Sequence, residues 1–524
     1  MKGREKSDGR TVPEGRRKAV PTPRLAGGGK ATTASEQTSQ LSLLPETADS
    51  PRGAVPGPGM GQPKHPARYA VPKSGSASCE DSSVMTMEEV ACSENLMRAF
   101  EQVERNEGAP GPDRQSVREM RERVEDVLPE LSRSLLDGSY CPGMIRRVWI
   151  PKAGGGQRGL GIPNVIDRIV QQAVHQVLGP RYEPTFHESS HGFRPGRSCH
   201  TAIAEAQKHL AEGYDWCVDL DLDKFFDRVH HDRLMARLAQ RITDRRLLRL
   251  IRQLLEARVV MPDGVVVSTE EGTPQGGPLS PLLSNIVLDE LDWELARRGH
   301  RFVRYADDCN IYVRSERAGH RVMANVVQFI ERRLRLEINQ TKSAVARPDQ
   351  RHLVGFRLCR DAESGEVEVL LSLRSKERLA QKIRELTPRT WGQSVSRCID
   401  RLNAYLRGWV GFFGVCSPVK EVIRVLHSTD AHIRRRLRAL RLRQWKRKRF
   451  IARQLIRLGI RPGTAWRVIY SGRKSLWALS HCNPVDRALD RKYFVELGLV
   501  SVEALYRGQP RFVIAPEQLV LPLG

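Results

Sequence analysis

Hydrophobic and polar positions along this chain follow two different periods. From Glu94 to Arg105 the apolar residues Leu96, Ala99, Phe100 and Val103 recur at the three-and-four spacing of a helix. The same spacing predicts helices over 117–136, 166–178, 201–211, 232–258, 282–298 and 318–334, and a largely helical chain from 372 onward. Ser280 reads as an N-cap, Pro281 suits a first helical position, and Gly299 ends that helix. Between these stretches lie short runs that read as strands: 145–152, 217–226, 301–314, 336–342 and 353–357. Residues 1–85 show no apolar period and are rich in Pro, Gly, Ser and Thr, which predicts a disordered, weakly basic extension.

The strand-like runs carry the chemistry. In 301–314, Asp307 and Asp308 stand between two alternating segments that can pair around a tight connection, which lifts both acids to a hairpin tip. An isolated Asp-Asp is usually the polar turn of a surface hairpin. Here the run 217–227 adds Asp219, Asp221 and Asp223 at alternate positions, hence on one strand face. Carboxylates gathered this closely repel and titrate together, and a divalent cation is the usual remedy. The two runs together suggest two-metal nucleotidyl transfer.

Charge sharpens the picture. The 524 residues hold 86 Lys and Arg against 61 acids, a formal net charge of +25 and a pI near 10.0. Such an excess favours a polyanionic partner, above all nucleic acid. The chain is also too long for one core, so two or three domains are expected. Ten cysteines are scattered without a Cys-x-x-Cys pair, which argues against a zinc ribbon or a thioredoxin-like site. With no disulfide-like spacing and no signal peptide, the expected setting is a reducing cytoplasm. No apolar stretch approaches the roughly 18 residues of a membrane span, so no membrane partner is expected.

Further candidates are basic or glycine-rich. Lys152 and Arg158 flank Gly154-Gly155-Gly156, a turn whose cations could grip a triphosphate or a phosphate backbone. Arg194 and Arg197 lie in the loop 189–198, free to meet an anion. His230-His231 reads as a pair of capping or surface groups. Gly272 to Pro281, containing Gln275, lets backbone approach a base pair closely. Tyr405, Trp409 and Phe412 make a helical stripe, read as core. Arg434, Arg435, Arg436, Lys446, Arg447 and Lys448 belong to a basic amphipathic stretch, 432–453, read as RNA-binding.

These motifs, in this order, resemble the reverse transcriptase/maturase proteins of bacterial group II introns over residues 90–510. The residues that carry the resemblance are Val303-Arg-Tyr-Ala-Asp-Asp308, Asp221-Leu-Asp-Lys-Phe-Phe-Asp227, Gly272 to Pro281, and Ile150-Pro-Lys152 with Ile162-Pro163. Arg407-Gly-Trp409 resembles the thumb, or maturase-specific region. Ser480 to Val485, Tyr493-Phe494 and Gly498-Leu499 resemble the DNA-contacting segment that follows it. No cysteine-rich HNH endonuclease is found, which is similar to the class C branch.

The resemblance implies an α+β, right-hand polymerase: fingers, a palm with an antiparallel sheet, a helical thumb and a small C-terminal domain. The expected boundaries are 1–85 for the extension, 86–365 for fingers and palm, 366–452 for the thumb and 453–524 for the C-terminal domain. It also implies roles. Asp221, Asp307 and Asp308, with the Leu222 carbonyl, would hold two Mg²⁺ ions. Lys152 and Arg158 would neutralise the triphosphate of a dNTP, Phe225 would exclude a 2′-hydroxyl, and Gln275 would steady the templating base pair. Lys342 would protonate the leaving pyrophosphate; a lysine in a strand is otherwise a surface charge. Asp223 is read as peripheral. The implied partners are a group II intron RNA, an RNA template, a DNA primer or target, and dNTPs. The expected location is the bacterial cytoplasm, at the nucleoid when bound to DNA. Two other readings compete: a splicing factor whose polymerase fold is vestigial, and a group II-like enzyme recruited to defence or CRISPR adaptation.

Overall fold

Strand alternation and buried helix stripes meet around one antiparallel sheet. In the computed structural model, residues 84–151, 156–273, 275–388, 392–471 and 475–509 are described. The extension expected over 1–85 lies almost entirely outside them, as does Lys152. The described strands are β1 (Ile145–Pro151), β2 (Gln157–Ile162), β3 (Trp216–Asp221), β4 (Val259–Val260), β5 (Val266–Val267), β6 (Arg301–Tyr305), β7 (Asp308–Val313), β8 (Ala344–Ala346), β9 (Phe356–Arg360) and β10 (Val367–Leu371).

The fingers sheet runs β2-β1-β4-β5, with β1 and β2 as the predicted hairpin and β4 parallel to β1. The palm sheet runs β6-β7-β3-β8, with antiparallel pairing throughout. Its register sets Asp221 opposite Asp308 and Asp219 opposite Asn310. A separate hairpin, β9-β10, leads into the helices of the thumb.

The palm sheet has apolar groups on both faces, and each face belongs to a different core. Val218, Leu220, Phe302, Cys309 and Ile311 join the core that also holds the fingers helices. Cys217, Val303 and Tyr312 join the core built by β9, β10 and the thumb. Asp219, Asp221 and Asp308 alternate with the first set, so they share the thumb-side face.

Helix boundaries depart from the sequence pattern where a cap interrupts a continuous apolar period. The stretch 232–258 is two helices, His231–Ala239 and Arg245–Leu255, because the Asp244 carboxylate accepts from the backbone N–H of Arg246 and Leu247. The stretch 117–136 divides at Arg123, whose φ of −121° leaves the helical range without a side-chain cap, into Val117–Glu122 and Val124–Asp137. The basic run 432–453 spans the end of Lys420–Gln444 and the start of Lys448–Arg457, with Lys446 in a left-handed conformation between them. Ser280 is the first helical residue of Ser280–Arg297 and not its cap.

The C-terminal segment is not a separate body. Leu479, Val485, Leu489, Phe494 and Val502 are buried in the same core as Leu402, Leu406 and Trp409 of the thumb. Asp430 of the Lys420–Gln444 helix accepts from the Val502 N–H at 2.8 Å, and Asn403 donates to the Gly498 carbonyl at 2.7 Å. Trp409 is buried, and Tyr405 and Phe412 pack partly buried against this core, as their spacing predicts.

Candidate active site

The acids are placed by a tight hairpin and its supports. β6 and β7 are joined through Ala306-Asp307 alone, and Ala306 takes a φ of 56°, a left-handed conformation that L-residues adopt reluctantly. What holds it is Arg304. The guanidinium donates to the Ala306 carbonyl at 2.8 Å, to Asn285 Oδ1 at 3.0 Å and to Ser190 Oγ at 2.6 Å. It also forms a forked pair with Asp292 of the Ser280–Arg297 helix, at 2.7 and 2.6 Å. Backbone bonds add to this: His191 N–H donates to the Arg304 carbonyl at 2.8 Å, and Arg304 N–H to the Ser189 carbonyl at 2.9 Å. Gly192 packs so near the turn that a Cβ there would stand 2.3 Å from the Ala306 nitrogen.

The loop 189–198 therefore braces the hairpin, and Arg194 is not poised for an external anion. Its side chain is 5% exposed, donates to the carbonyls of His187 and Ser190 at 2.6 and 2.8 Å, and pairs with Glu183. Arg197 donates to the Glu188 carbonyl, so it too supports the loop. Glu205 closes this network, receiving His191 Nε2 at 2.7 Å and Ser189 Oγ at 2.5 Å. Burial acts to raise its carboxyl, but bonds from His191, His209 and Ser189 outweigh that and hold it at about 2.

The acids near this face differ in their counter-charges, with Lys342 shared by Asp221 and Asp308. Asp219 is paired with Arg351, whose Nε lies 2.8 Å from Oδ2. Asp223 lies beyond the end of β3 and pairs with Arg228 at 3.1 Å. Asp221 meets Lys342, with Nζ 2.9 Å from Oδ2. Asp308 is exposed at the start of β7, yet the protein packed around it takes away part of its hydration. That enclosure, then Asp307, Asp219 and Asp221, pushes its carboxyl up to about 7 against the opposing pull of Lys342. Asp307 is raised as well, chiefly by burial, with Arg158 acting in the opposite direction.

Among the described residues, no three His, Cys, Asp or Glu side chains are drawn together as metal ligands; the lysine ammonium holds Asp221 instead. Even so, the donor set is all oxygen and its charge is under-compensated, which suits a hard divalent cation. Leu222 is consistent with this setting. Residues 221 and 223 make the two hydrogen bonds of the Leu222–Ile338 bridge, which turns the Leu222 carbonyl toward the opposite edge, on the β7 side.

The remaining candidates divide by position. Arg158 is exposed on β2, paired with Ile150, and its charge reaches Asp307. Gln275 accepts from the Gly161 N–H at 2.7 Å, which ties the glycine loop to β2. Gly276, with φ +121°, approaches so closely that a Cβ would stand 2.5 Å from the Gly161 carbonyl oxygen. Phe225 is buried, edge-on to Phe226, in a turn opened by the left-handed Lys224. Lys342 sits in a turn before β8 and not in a strand. His231 is buried and not a surface group: its Nε2 lies 2.7 Å from the Gly272 carbonyl oxygen.

In the thumb, the arginine triplet splits. Arg436 is buried and donates to Thr387 Oγ1 and to the carbonyls of Thr387 and Arg384, so it serves the fold and not an RNA surface. Arg435 stacks over Trp477 at 4.1 Å from the ring centroid, and Arg434 is half-buried. Lys446, Arg447 and Lys448 are exposed, with Lys448 Nζ 5.5 Å from the Tyr470 ring.

Residues 150–358 match the family of reverse transcriptases (RNA-dependent DNA polymerase), and residues 376–458 match the maturase-specific domain of group II introns. Protein YkfC of Escherichia coli K12 is 32% identical over 327 residues, 55% of this chain and 85% of that protein. The chain belongs to the group II intron reverse transcriptase/maturase family. A second relative of this reverse transcriptase is the group II intron-encoded protein LtrA of Lactococcus lactis subsp. cremoris, 41% identical over 169 residues. That match covers 32% of this chain and 28% of LtrA. Among solved structures, a chain of a partial Cas6-RT-Cas1–Cas2 complex is 25% identical with a TM-score of 0.31, covering 47% of this reverse transcriptase and 42% of that chain. No described helix is long and apolar enough to cross a membrane.

The supports of the site were not legible as function. Arg304 reads as one polar residue in a strand, and Asp292 as one acid in a helix; nothing local says that they meet.

Proposed function

We propose that this reverse transcriptase copies an RNA template into DNA at the face formed by β3, β7 and the Ala306-Asp307 turn, using Mg²⁺ held by Asp221, Asp307 and Asp308. The observation that carries this reading is the cross-strand pairing of Asp221 with Asp308, at the foot of a turn that Arg304 fixes. Two bound Mg²⁺ ions would supply activation of the primer 3′-hydroxyl and charge stabilisation on the phosphates. Asp221 and Asp308 present carboxylate oxygens from adjacent strands, and the Leu222 carbonyl faces the same edge. Arg158 extends positive charge from the fingers toward that edge, where an incoming triphosphate needs it. Gln275 and its glycine neighbours hold the templating loop against β2, which fixes where a base pair can sit. Phe225, packed from below, sets the floor under the sugar and favours a deoxyribose. Lys342 Nζ lies beside Asp221 and would give a proton to the departing pyrophosphate.

The maturase-specific domain supports a second role for the same chain: binding the host intron RNA and assisting its splicing and mobility. Exposed Lys446, Arg447 and Lys448, with Arg434 and Arg435, provide the basic surface for it.

The test is primer extension on an RNA template with dNTPs and Mg²⁺, comparing wild type with Asp307→Ala. Extension by the wild type alone is the expected result, with intron RNA binding equal in both proteins. An inactive wild type that still binds intron RNA tightly would replace this reading with that of a splicing factor.

A further inference from the structure

Two clefts of about 420 Å³ each adjoin along the Ser280–Arg297 helix and share Arg237 and Gln240 in their walls. Neither includes a catalytic acid. The opposite flank of this helix carries Leu288 and Leu291 into the core under the palm sheet, on the face away from Asp221 and Asp308.

The first cleft has an aromatic end. Trp293 is 52% exposed, and its orientation is fixed because Nε1 donates to the Thr185 carbonyl at 3.2 Å and His187 packs edge-on at 5.2 Å. The wall also contains Tyr182 Oη and Asp289 Oδ1, buried and without hydrogen-bond partners. That favours an occupant with hydrogen-bonding edges over a purely apolar one. The second cleft is basic. Arg233, Arg237 and Arg333 converge on the single carboxylate of Glu290, at 3.4, 3.1 and 3.8 Å. Arg237 is also held by Asp289 Oδ2 at 3.1 Å, so three guanidiniums share two carboxylates and leave net positive charge; Arg233 and Arg333, with the longer contacts, are the two left available.

The spacing of the two features is informative. Glu290 and Trp293 are three residues apart on one helix, so the residue that gathers the arginines and the residue that bears the indole are neighbours on one face, with Cβ atoms roughly 5 Å apart. A flat, half-exposed ring that close to surplus guanidinium matches the build of a nucleotide, with its base a few bonds from its phosphate. We propose that these clefts form a second nucleic-acid site, in which one unpaired nucleotide of a single strand stacks on Trp293 while its flanking phosphates meet Arg233 and Arg333. A duplex does not satisfy this arrangement, because its bases have no free face to offer the indole.

The experiment uses the full chain and a short single-stranded RNA carrying one 4-thiouridine, photocross-linked with and without excess primer–template duplex, and the modified peptide mapped by mass spectrometry. A cross-link to the peptide containing Trp293 that survives the duplex is the expected result. Trp293→Ala, and separately Arg233→Gln with Arg333→Gln, should each weaken binding of that strand about tenfold, the size of one lost base stack. Trp293→Phe should recover most of the loss, and primer extension should be unchanged in all three. Cross-links that vanish with duplex, that map elsewhere, or variants that bind like wild type would overturn the proposal. The same strand made as DNA identifies the source: tighter RNA assigns a transcript or intron strand, tighter DNA a displaced strand. Free AMP binding as tightly as either would remove the strand from the proposal. Failure of the duplex itself to bind bears on the catalytic cleft alone, because the cross-link is read in both conditions.

Discussion

Arg304 and Asp292 form an ion pair in which both side chains are fully buried, and the same guanidinium holds the carbonyl of Ala306, one residue before Asp307. Removing one partner leaves an uncompensated buried charge, which typically destabilises by about 3–5 kcal/mol. Asp292→Ala should therefore lose stability on that scale in chemical denaturation. Arg304→Lys keeps the charge but not the fork, so it should fold with a smaller loss and still extend primers at least tenfold more slowly, with little change in RNA affinity. A normal extension rate in Arg304→Lys would show that the turn does not depend on this arginine.

Lys342 Nζ lies 2.9 Å from Asp221 Oδ2, the carboxylate proposed to hold a cation, and is itself the proposed proton donor. Lys342→Gln should thus do two things at once. The Mg²⁺ concentration for half-maximal extension should fall, because a competing ammonium is gone, and kcat should drop by roughly 10²-fold if proton donation is lost. Unchanged values of both would make Lys342 a surface charge.

The Asp308 carboxyl is raised to about 7, so cation binding at the proposed site should depend on pH. Its folded value lies above the ordinary range, so the folded state holds a proton that the unfolded state has already released between pH 4 and 7. Without metal, this group's contribution to stability falls as pH rises through that window. Asp308→Asn should then stabilise the metal-free protein more at pH 7 than at pH 5, as read by thermal denaturation. Mg²⁺ affinity of the wild type should increase from pH 6 to 8 with proton release, and calorimetry in buffers of different ionisation enthalpy would detect it.

Glu205 shifts the other way. Its carboxyl, held at about 2, contributes stability that is complete above its unfolded value near 4.5 and disappears as pH falls from there toward 2. Glu205→Gln should cost roughly 2–3 kcal/mol at neutral pH and nothing near pH 2, which pH-dependent unfolding curves can resolve.

Within the thumb triplet, neutralising Arg434 and Arg435 together should flatten the salt dependence of intron RNA binding by one to two ions. Arg436→Ala should leave that slope alone and lower thermal stability, because its hydrogen bonds run inward to Thr387 and Arg384. A slope change in Arg436→Ala would return that residue to the RNA surface.

These contrasts show what the chain discloses and what it withholds. The palm hairpin was legible because alternation over 301–314 and 217–226 is a local signal, and because the second run adds three acids on one strand face to the Asp307-Asp308 pair. The break at Asp244 was not read, since apolar spacing continues across it and the carboxylate also accepts from the distant Met87 N–H at 2.8 Å. Charge alone gives no direction: Arg194 and Arg436 look like surface cations in the sequence, yet both turn inward to carbonyl oxygens. The Arg351 pairing that separates Asp219 from Asp221 spans more than a hundred residues, beyond the reach of any local pattern.

One sheet serves as the common wall of two cores, with fingers residues behind it and thumb residues in front. A wall shared in this way cannot warm up on one side only. Heat that loosens the thumb also frees Cys217, Val303 and Tyr312 from their packing, and so blurs the spacing of the acids that alternate with them. Loss of copying and loss of grip on RNA should therefore arrive as one event on a melting curve, and a variant selected for tighter thumb packing should copy at higher temperature without any change near its acids.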